Sequence, residues 1–152
     1  MIDIFVRYKK VDNNSVTPSR GSTSSAGLDL YAHLPTNMAG TYICIPPGET
    51  VLVSSGIAME IPEGYFGAVY ARSGLASKLG LRPANCVGVV DSDYRGTIMV
   101  ALHNDSSVKR VVADGDRIAQ MVIMPYLSVD LEEVEVLGDT GRGDGGFGST
   151  GK

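Results

Sequence analysis

The residues with the most evident chemical potential lie between positions 70 and 96, where polar and charged side chains are set between β-type runs. Arg72 can donate a fork of hydrogen bonds to phosphate oxygens, and Ser73 and the amide of Gly74 can donate more. Asp91 can accept a proton from water and turn it into a nucleophile. Tyr94 offers a flat apolar ring with a polar tip. Together these groups suit a ligand that contains a phosphate ester or anhydride.

The stretch from Asp91 to Gly96 also has a simpler interpretation. It reads Asp-Ser-Asp-Tyr-Arg-Gly, and Asp, Ser and Gly favour turns without any ligand. A plain turn between two strands therefore explains this stretch taken alone. The elements and motifs around it are needed to choose between a structural turn and a catalytic one.

The bulk composition bounds the class of protein. The chain has 152 residues and a net charge of −4, which favours one domain and argues against a general nucleic-acid binder. Cys44 and Cys86 lie in no metal-type spacing, so reduced thiols are expected. No apolar run resembles a signal peptide or reaches the length of a membrane span. We expect an intracellular protein, cytoplasmic, or nuclear or in the host cytosol if the source is eukaryotic or viral.

Short runs with an apolar residue at every second position predict an almost entirely β structure. One helix is predicted over residues 73–79, with Ser73 as its N-cap. Many short strands separated by turn residues favour a sandwich, a jelly roll or a distorted barrel. The strands are predicted at residues 2–8, 28–33, 42–45, 51–61, 65–71, 96–102, 109–112, 118–126 and 129–137.

The C-terminal residues 138–152 differ in composition from the β domain predicted for residues 1–137. Seven of these fifteen residues are Gly and the only large apolar side chain is Phe147, so the segment cannot pack a core and should be mobile alone. Arg142 could meet a phosphate, and Phe147 could stack on a flat base. The prediction is a tail that orders on a ligand, with a plain disordered tail as the alternative.

Five short motifs occur along the chain, and each alone is weak or moderate evidence. In this order and at this spacing the sequence resembles the trimeric deoxyuridine triphosphatase (dUTPase) family over about the whole chain after the first ~20 residues. The third motif has Val90 where the family more often has Ile, a conservative difference. The motifs are AGLDLYA at 26–32, ARSGLA at 71–76, GVVDSDYRG at 88–96, GDRIAQ at 115–120 and RGDGGFGSTG at 142–151.

The resemblance implies a jelly-roll subunit in a homotrimer, with three active sites shared between subunits and closed by the tail. It implies hydrolysis of dUTP to dUMP and pyrophosphate by water attack on the α-phosphorus, which keeps uracil out of DNA and supplies dUMP for thymidylate synthesis. Mg²⁺ is implied as a cofactor held by the substrate phosphates and water, with no direct protein ligand, as suits this ion. The alternatives are a dCTP deaminase-like or bifunctional enzyme of the same fold, or a non-catalytic jelly-roll binding module.

The resemblance also implies a role for each motif residue. Asp91 would be the catalytic base, Tyr94 would lie under the deoxyribose, and Asp29 would support Arg72 in a charge network. His33 and His103 are expected to be ordinary structural residues, and Asp116 with Arg117 an ion pair. The uracil would contact Asn85, Gly88, Val89, Val90 and Met99, whereas the phosphates and tail contacts would involve Arg72, Ser73, Gly74, Gln120, Arg142, Phe147, Gly148 and Ser149.

Overall fold

The structure is a computed structural model that describes residues 4–35 and 41–146. Within these residues the chain forms strands and one short helix, Leu75–Leu79. In chain order the strands are Arg7–Lys10 (β1), Ser19–Arg20 (β2), Leu28–Tyr31 (β3), Tyr42–Ile45 (β4), Thr50–Ser54 (β5), Ile57–Glu60 (β6), Tyr65–Tyr70 (β7), Leu81–Pro83 (β8), Val87–Val90 (β9), Met99–Asn104 (β10), Arg110–Ala113 (β11) and Arg117–Pro125 (β12).

The strands pair antiparallel in four sheets around one core. The largest sheet has the order β2-β3-β12-β7-β9, and a second has the order β5-β10-β8. Strands β1 and β6 form a separate two-stranded sheet, as do β11 and β4. This arrangement agrees with the all-β class predicted from the period-two pattern. The central strand β12 matters most for function, because it pairs with both β3 and β7 and so joins two distant motifs.

The core follows from the alternation of side chains along each strand. In β10, Val100, Leu102 and Asn104 are buried while Met99 is exposed at the opposite face. The Asn104 amide is satisfied inside the core, because its Nδ2 donates to the carbonyl oxygens of Ile45 and Val108, each at 2.9 Å. The apolar alternation therefore places Met99 on the surface.

Several strand boundaries differ from the predicted ones. The predicted strand over residues 51–61 is two strands, because Gly56 adopts a left-handed φ of 65° that ends β5 before β6 begins. The strand predicted over 96–102 begins later, at Met99, and continues to Asn104. Residues 19 and 20, predicted as loop, pair with β3 as β2.

The predicted helix is present in a different form. It is a π-helix over Leu75–Leu79, a rare geometry that often occurs near functional sites. The predicted N-cap is wrong, because Gly74 occupies the cap position and no side chain makes a capping hydrogen bond there. Ser73 instead accepts, through its carbonyl oxygen, a hydrogen bond of 2.6 Å from Ser77 Oγ. Among the described residues, no helix is long and apolar enough to cross a membrane.

The strand predicted over residues 129–137 is wrong for the single chain. The segment after β12 has no strand pairing, and its apolar side chains are exposed, with Leu131 at 95% and Val136 at 82%. A strand needs a neighbour for its backbone N–H and C=O groups, and within the described chain this segment pairs with none. It will be called the exposed C-terminal segment, residues 127–137.

Candidate functional site

A cavity of about 400 Å³ collects residues from three motifs that are far apart in sequence. Strand β12 pairs Gln120 with Asp29 of β3 on one side and with Tyr70 of β7 on the other. The two ladders therefore bring Asp29 next to the loop that follows β7, which carries Arg72. The cavity lining is Gly21, Ser25, Gly27, Asp29, Arg72, Ser73, Gly74, Arg117 and Gln120. We call this the phosphate cavity.

The carboxylate of Asp29 organises the cations of the phosphate cavity. Arg72 Nε donates to its Oδ1 at 2.9 Å, and Arg117 Nη1 donates to its Oδ2 at 3.3 Å. The Asp29 side chain is 12% exposed, against 26% for Arg72, so this contact is partly shielded from solvent. Arg72 uses Nε here, and no hydrogen bond within residues 4–35 and 41–146 engages its terminal nitrogens, the arrangement that suits a forked phosphate contact.

Arg117 corrects one prediction and adds a residue that sequence reasoning missed. The expected Asp116–Arg117 ion pair is wrong, since Arg117 contacts Asp29 and Asp116 Oδ2 accepts from the backbone N–H of Ala113 at 2.8 Å. Arg117 lines the phosphate cavity with Arg72. No local pattern indicates this, because the partners are 88 residues apart and meet only through the β3–β12 ladder.

Gln120 lies in the phosphate cavity, where its side chain supports the backbone. Its Nε2 donates to the carbonyl oxygen of Ala71 at 2.9 Å, directly before Arg72. Gly27 leaves room for this side chain, because a Cβ at position 27 would lie 2.6 Å from Gln120 Oε1. The Gln120 amide therefore ties the first motif to the second. With Ser73 and Gly74 exposed beside it, the loop presents donors towards the cavity.

A second cluster of predicted residues surrounds the turn between β8 and β9. The turn closes with a hydrogen bond of 3.2 Å from Cys86 N to the carbonyl oxygen of Pro83, and Cys86 has a left-handed φ of 61°. Asn85 is exposed and lies across the buried Gly88, where an added Cβ would be 3.1 Å from Asn85 Nδ2 and 3.2 Å from Val69 Cβ. The close approach requires Gly88, and it presents the Asn85 amide at the surface.

The remaining residues predicted for base recognition flank this turn. Val89 is 62% exposed and Met99 is 44% exposed, so both offer accessible backbone and side-chain surface. Val90 is half-buried and packs against the core. The structure thus places Gly88 and Val89 on β9 and Asn85 in the turn before it, and their contact with a base stays a prediction.

Asp91 and Tyr94 lie in one tight turn after β9. Tyr94 N donates to the carbonyl oxygen of Asp91 at 3.2 Å, and the Tyr94 hydroxyl donates to the carbonyl oxygen of Thr97 at 3.0 Å. The ring lies over Gly96, where a Cβ would be 2.6 Å from Tyr94 Cζ. The Asp91 side chain is exposed and not enclosed by the core, as a carboxylate that activates water must be.

Asp91 lines a different cavity from Arg72. This cavity has a volume of about 1000 Å³ and includes, with Asp91, the aromatic side chains of Phe5, Phe66 and Tyr126. We call it the carboxylate cavity. Phe66 and Tyr126 form an edge-to-face pair with ring centroids 6.5 Å apart. In one chain, therefore, the predicted base and the predicted phosphate ligands line two separate cavities.

The predicted tail residues are only partly within the described structure. Arg142 is exposed, and its Nε donates to the carbonyl oxygen of Gly145 at 2.7 Å, inside the tail itself. The structure therefore does not bring Arg142 to either cavity. Phe147, Gly148 and Ser149 lie outside the described residues.

The donor set in residues 4–35 and 41–146 bears on how a metal ion could be held. No three His, Cys, Asp or Glu side chains there are grouped as metal ligands. Asp29, the carboxylate of the phosphate cavity, is already engaged by Arg72 and Arg117. Such a site fits a Mg²⁺ ion that arrives on phosphate oxygens and keeps its water ligands, and it does not fit a protein-made carboxylate cage.

Comparisons with known proteins agree with the motif pattern. The family model for dUTPase matches residues 13–151. The deoxyuridine 5'-triphosphate nucleotidohydrolase of Desulfitobacterium hafniense is 47% identical over 151 residues, with 99% of this chain and 97% of that protein covered. The protein of the same name from Anaplasma marginale is 46% identical, with 88% of each chain covered.

Solved structures with a similar fold are also dUTPases. A mutant dUTPase of Staphylococcus bacteriophage 80alpha with dUpNHpp aligns with a TM-score of 0.85 and 25% identity, covering 97% of this chain and 99% of that one. A mutant dUTPase from phage phi11 of S. aureus, described for its coordination of a structural Mg(II) ion, has a TM-score of 0.77 and 22% identity, covering 90% and 100%. These likenesses confirm the predicted jelly-roll fold, and with the near-full-length relatives they establish that this chain belongs to the dUTPase family, a family of enzymes that hydrolyse dUTP to dUMP.

Proposed function

We propose that this chain hydrolyses dUTP to dUMP and pyrophosphate in sites shared between subunits of a homotrimer. The main observation behind this proposal is that two sets of side chains, both needed to bind and hydrolyse one nucleotide, line separate cavities of the same chain. Asp91 lines one cavity together with Val89, while Arg72, Arg117 and Gln120 line another. A site that joins the two surfaces from different subunits would contain both the base that activates water and the phosphate ligands.

In this reaction the protein contributes mainly positioning and charge stabilisation, and little covalent chemistry. Asp91 accepts a proton from a water molecule, which attacks the α-phosphorus in line with the departing pyrophosphate. Arg72, held by Asp29, stabilises negative charge on the phosphate oxygens with donors that need no reorganisation. The Tyr94 ring lies against the deoxyribose, where a 2′-hydroxyl would have no room.

Recognition of the base follows from the turn that carries Asn85. The side-chain amide donates to and accepts from one edge of uracil, while Val89, which is exposed, closes the other side of the pocket. Cytosine reverses the donor and acceptor at that edge and would leave polar groups unpaired, the kind of mismatch that can reach about 10⁴–10⁵ in discrimination.

Mg²⁺ would enter the site bound to the phosphates of the substrate. A Mg²⁺ ion on the triphosphate offsets its negative charge when bound, and the protein supplies cations and hydrogen-bond donors around it. The Asp29–Arg72–Arg117 cluster is suited to orient the phosphates, because its carboxylate keeps two guanidinium groups in place.

The exposed C-terminal segment supports assembly with other copies. Its apolar side chains Val129, Leu131, Val134 and Val136 are exposed, and within residues 4–35 and 41–146 the segment pairs with no strand. The β1–β6 sheet has only two strands and borders the carboxylate cavity through Arg7 and Glu60. A copy of the segment added there would bury its apolar side chains and would deliver the following tail beside the Asp91 of a neighbour.

The tail then acts as a lid. Arg142 and Ser149 contact the γ-phosphate end and Phe147 stacks over the uracil, which excludes water and completes the site. These contacts form only when nucleotide is bound, because Phe147 is the one large apolar side chain of the Gly-rich tail and cannot hold it closed without a base to stack on.

Pyrophosphate release tests the chemistry. Wild type and Asp91→Asn are assayed with dUTP, dCTP, dTTP and UTP in the presence of Mg²⁺. We expect hydrolysis of dUTP alone, with the variant losing most of the rate while still binding a non-hydrolysable dUTP analogue. A variant as fast as wild type would remove Asp91 from the mechanism, and ammonia release from dCTP would favour deamination.

Subunit complementation tests the sharing of sites. Asp91→Asn and Arg72→Ala subunits are each expected to be nearly inactive as pure assemblies. When the two are unfolded together and refolded at equal amounts, about one quarter of the sites should combine an intact Asp91 with an intact Arg72 from different chains. No recovery of activity in verified mixed trimers would mean that one chain supplies both residues.

A further inference from the structure

The turn that carries Asn85 is hydrogen-bonded to the side chain of Arg82, a charged group that has no role in the proposed mechanism. Arg82 lies in β8, opposite His103 of β10. Its Nε donates to Asp105 Oδ2 at 2.5 Å and its Nη2 donates to Asp105 Oδ1 at 3.1 Å. This is a two-bond fork between a guanidinium and a carboxylate, which fixes the plane of the guanidinium as well as its position.

The third nitrogen of the same guanidinium contacts both ends of the turn. Arg82 Nη1 donates to the carbonyl oxygen of Pro83 at 3.2 Å and to Cys86 Sγ at 3.5 Å. The Pro83 carbonyl also accepts the N–H of Cys86 that closes the turn. Because Asn85 lies between these two residues, its backbone has few ways to move while Arg82 is in place.

The conformation of the turn needs such a restraint. Cys86 has a φ of 61°, a left-handed value that residues with a side chain seldom adopt unless surrounding contacts impose it. Cys86 itself is exposed, so core packing does not impose it. The contacts of Pro83 and Cys86 with Arg82 therefore supply a restraint that burial does not.

We call the Arg82–Asp105 fork the brace; its Asp105 end is exposed but is held by the backbone next to a core residue. Asp105 N donates to the carbonyl oxygen of Gly80 at 2.8 Å, and His103 Nε2 lies 3.3 Å from Asp105 Oδ1. The preceding residue, Asn104, is fully buried and hydrogen-bonded on both sides of its amide. Hydrogen bonding to Asp105 also raises the pKa of Arg82 above its ordinary value, so the brace stays charged.

We propose that Arg82, oriented by Asp105, is a positioning residue for uracil recognition, because it fixes the turn that presents Asn85 to the base. The inference rests on the proposed role of Asn85 and adds a residue outside the five motifs. It predicts that loosening the brace weakens binding and base selectivity while the chemistry at the α-phosphorus, carried by Asp91 and Arg72, continues at nearly the same rate.

The test compares four single variants with wild type. Arg82→Lys keeps the charge but cannot reach Asp105 and Pro83 together, and Asp105→Asn removes the fork. Asn85→Ala is the reference for lost base recognition. Arg110→Lys is the matched control, because Arg110 Nε also contacts the loop after β10, through Ser106 Oγ at 3.1 Å, without contacting the turn.

Initial rates with dUTP and dCTP and melting temperatures are measured for each. For Arg82→Lys and Asp105→Asn we expect the KM for dUTP to rise about fivefold, the factor for one lost hydrogen bond. The kcat should stay within about twofold, as for lost ground-state binding, and the preference for dUTP over dCTP should fall. Arg110→Lys should match wild type in KM and preference.

Two outcomes would overturn the inference, and they are distinguishable. If Asn85→Ala raises the KM but Arg82→Lys and Asp105→Asn change only the melting temperature, the brace is structural and has no part in recognition. If Asn85→Ala leaves KM and preference unchanged, the proposed base-reading role of Asn85 is itself wrong and the inference fails with it.

Discussion

Replacing Asp29 with Asn tests whether one carboxylate organises the phosphate cavity. The change keeps the shape of the side chain and removes its charge. In the native arrangement both carboxylate oxygens accept hydrogen bonds, one from Arg72 and one from Arg117. In the variant the amide nitrogen must face one of these donors, and two guanidinium groups lie in one cavity without their shared counter-charge.

The cost can be estimated contact by contact. The Arg72 contact is short and partly shielded, and a hydrogen bond to a charged group contributes about 1.5–3 kcal/mol. The Arg117 side chain is 50% exposed, so screening reduces its share to about 0–1 kcal/mol. Since the Asn oxygen still accepts one bond, we expect a net loss of about 2 kcal/mol, or about 4–8 °C in melting temperature for a chain of this size.

The functional effect has two opposite parts. Arg72 loses the contact that orients it, so kcat/KM for dUTP should fall by more than about tenfold through misplacement of the phosphates. The cavity gains one unit of positive charge, so product pyrophosphate should inhibit the variant at least as strongly as wild type. A loss of catalysis without a loss of anion binding is the signature of an orienting carboxylate.

The measurements are thermal unfolding at a fixed subunit concentration, since assembly makes melting temperature depend on concentration, together with pyrophosphate release and product inhibition. Glu49→Gln, an exposed carboxylate in the turn after β4, is the control for a general change in net charge. If Asp29→Asn matches that control in stability and in kcat/KM, Asp29 does not position Arg72 and the reasoning is refuted.

Three further changes test separate parts of the site. In Gly88→Ala the new Cβ must displace the Asn85 amide, and overpacking of about 1–3 kcal/mol should raise the Kd of a dUTP analogue, measured by calorimetry; an unchanged Kd would contradict the close approach. Tyr94→Ala should admit the ribose 2′-hydroxyl, so the ratio of UTP to dUTP hydrolysis should rise, whereas a constant ratio would exclude steric selection by this ring. Deleting residues 141–152 should reduce turnover by orders of magnitude while light scattering still reports a trimer, and full turnover without the tail would refute the lid.

The sequence predicted those parts of the fold that depend on local pattern. Strand β4 was predicted at its observed limits, and β3, β7 and β12 to within two residues, because period-two alternation and flanking turn residues are local properties. The π-helix was predicted as an ordinary capped helix, since nothing in a short run of side chains distinguishes the two hydrogen-bond patterns. The clustering of Asp29, Arg72 and Gln120 agrees with the motif resemblance.

What the sequence could not predict depends on pairing between distant segments. Arg117 was assigned to its neighbour Asp116, because adjacent opposite charges are the simplest local interpretation, while the β3–β12 ladder brings it to Asp29. The strand predicted at 129–137 fails for a related reason, because the described part of its own chain offers it no neighbouring strand. A sequence pattern shows that a segment can form a strand, but the strand forms only where a neighbouring strand pairs with its backbone.

Three glycines of this chain each pack against a side chain of the candidate site, which gives a physical reason for the glycines in the motifs. Gly27 leaves space for Gln120, Gly88 for Asn85, and Gly96 for Tyr94, and an added Cβ would lie 2.6, 3.1 and 2.6 Å from Gln120 Oε1, Asn85 Nδ2 and Tyr94 Cζ, respectively. The Gly88–Asn85 and Gly96–Tyr94 pairs lie in the third motif and the turn before it, whereas Gly27 and Gln120 are more than ninety residues apart. A functional side chain held against backbone in this way loses little freedom when the nucleotide binds, so the cost of ordering is met during folding. Substitution of any of these glycines should therefore impair nucleotide binding before it impairs the fold, and a variant that loses stability and keeps its affinity would show that the glycines serve packing alone.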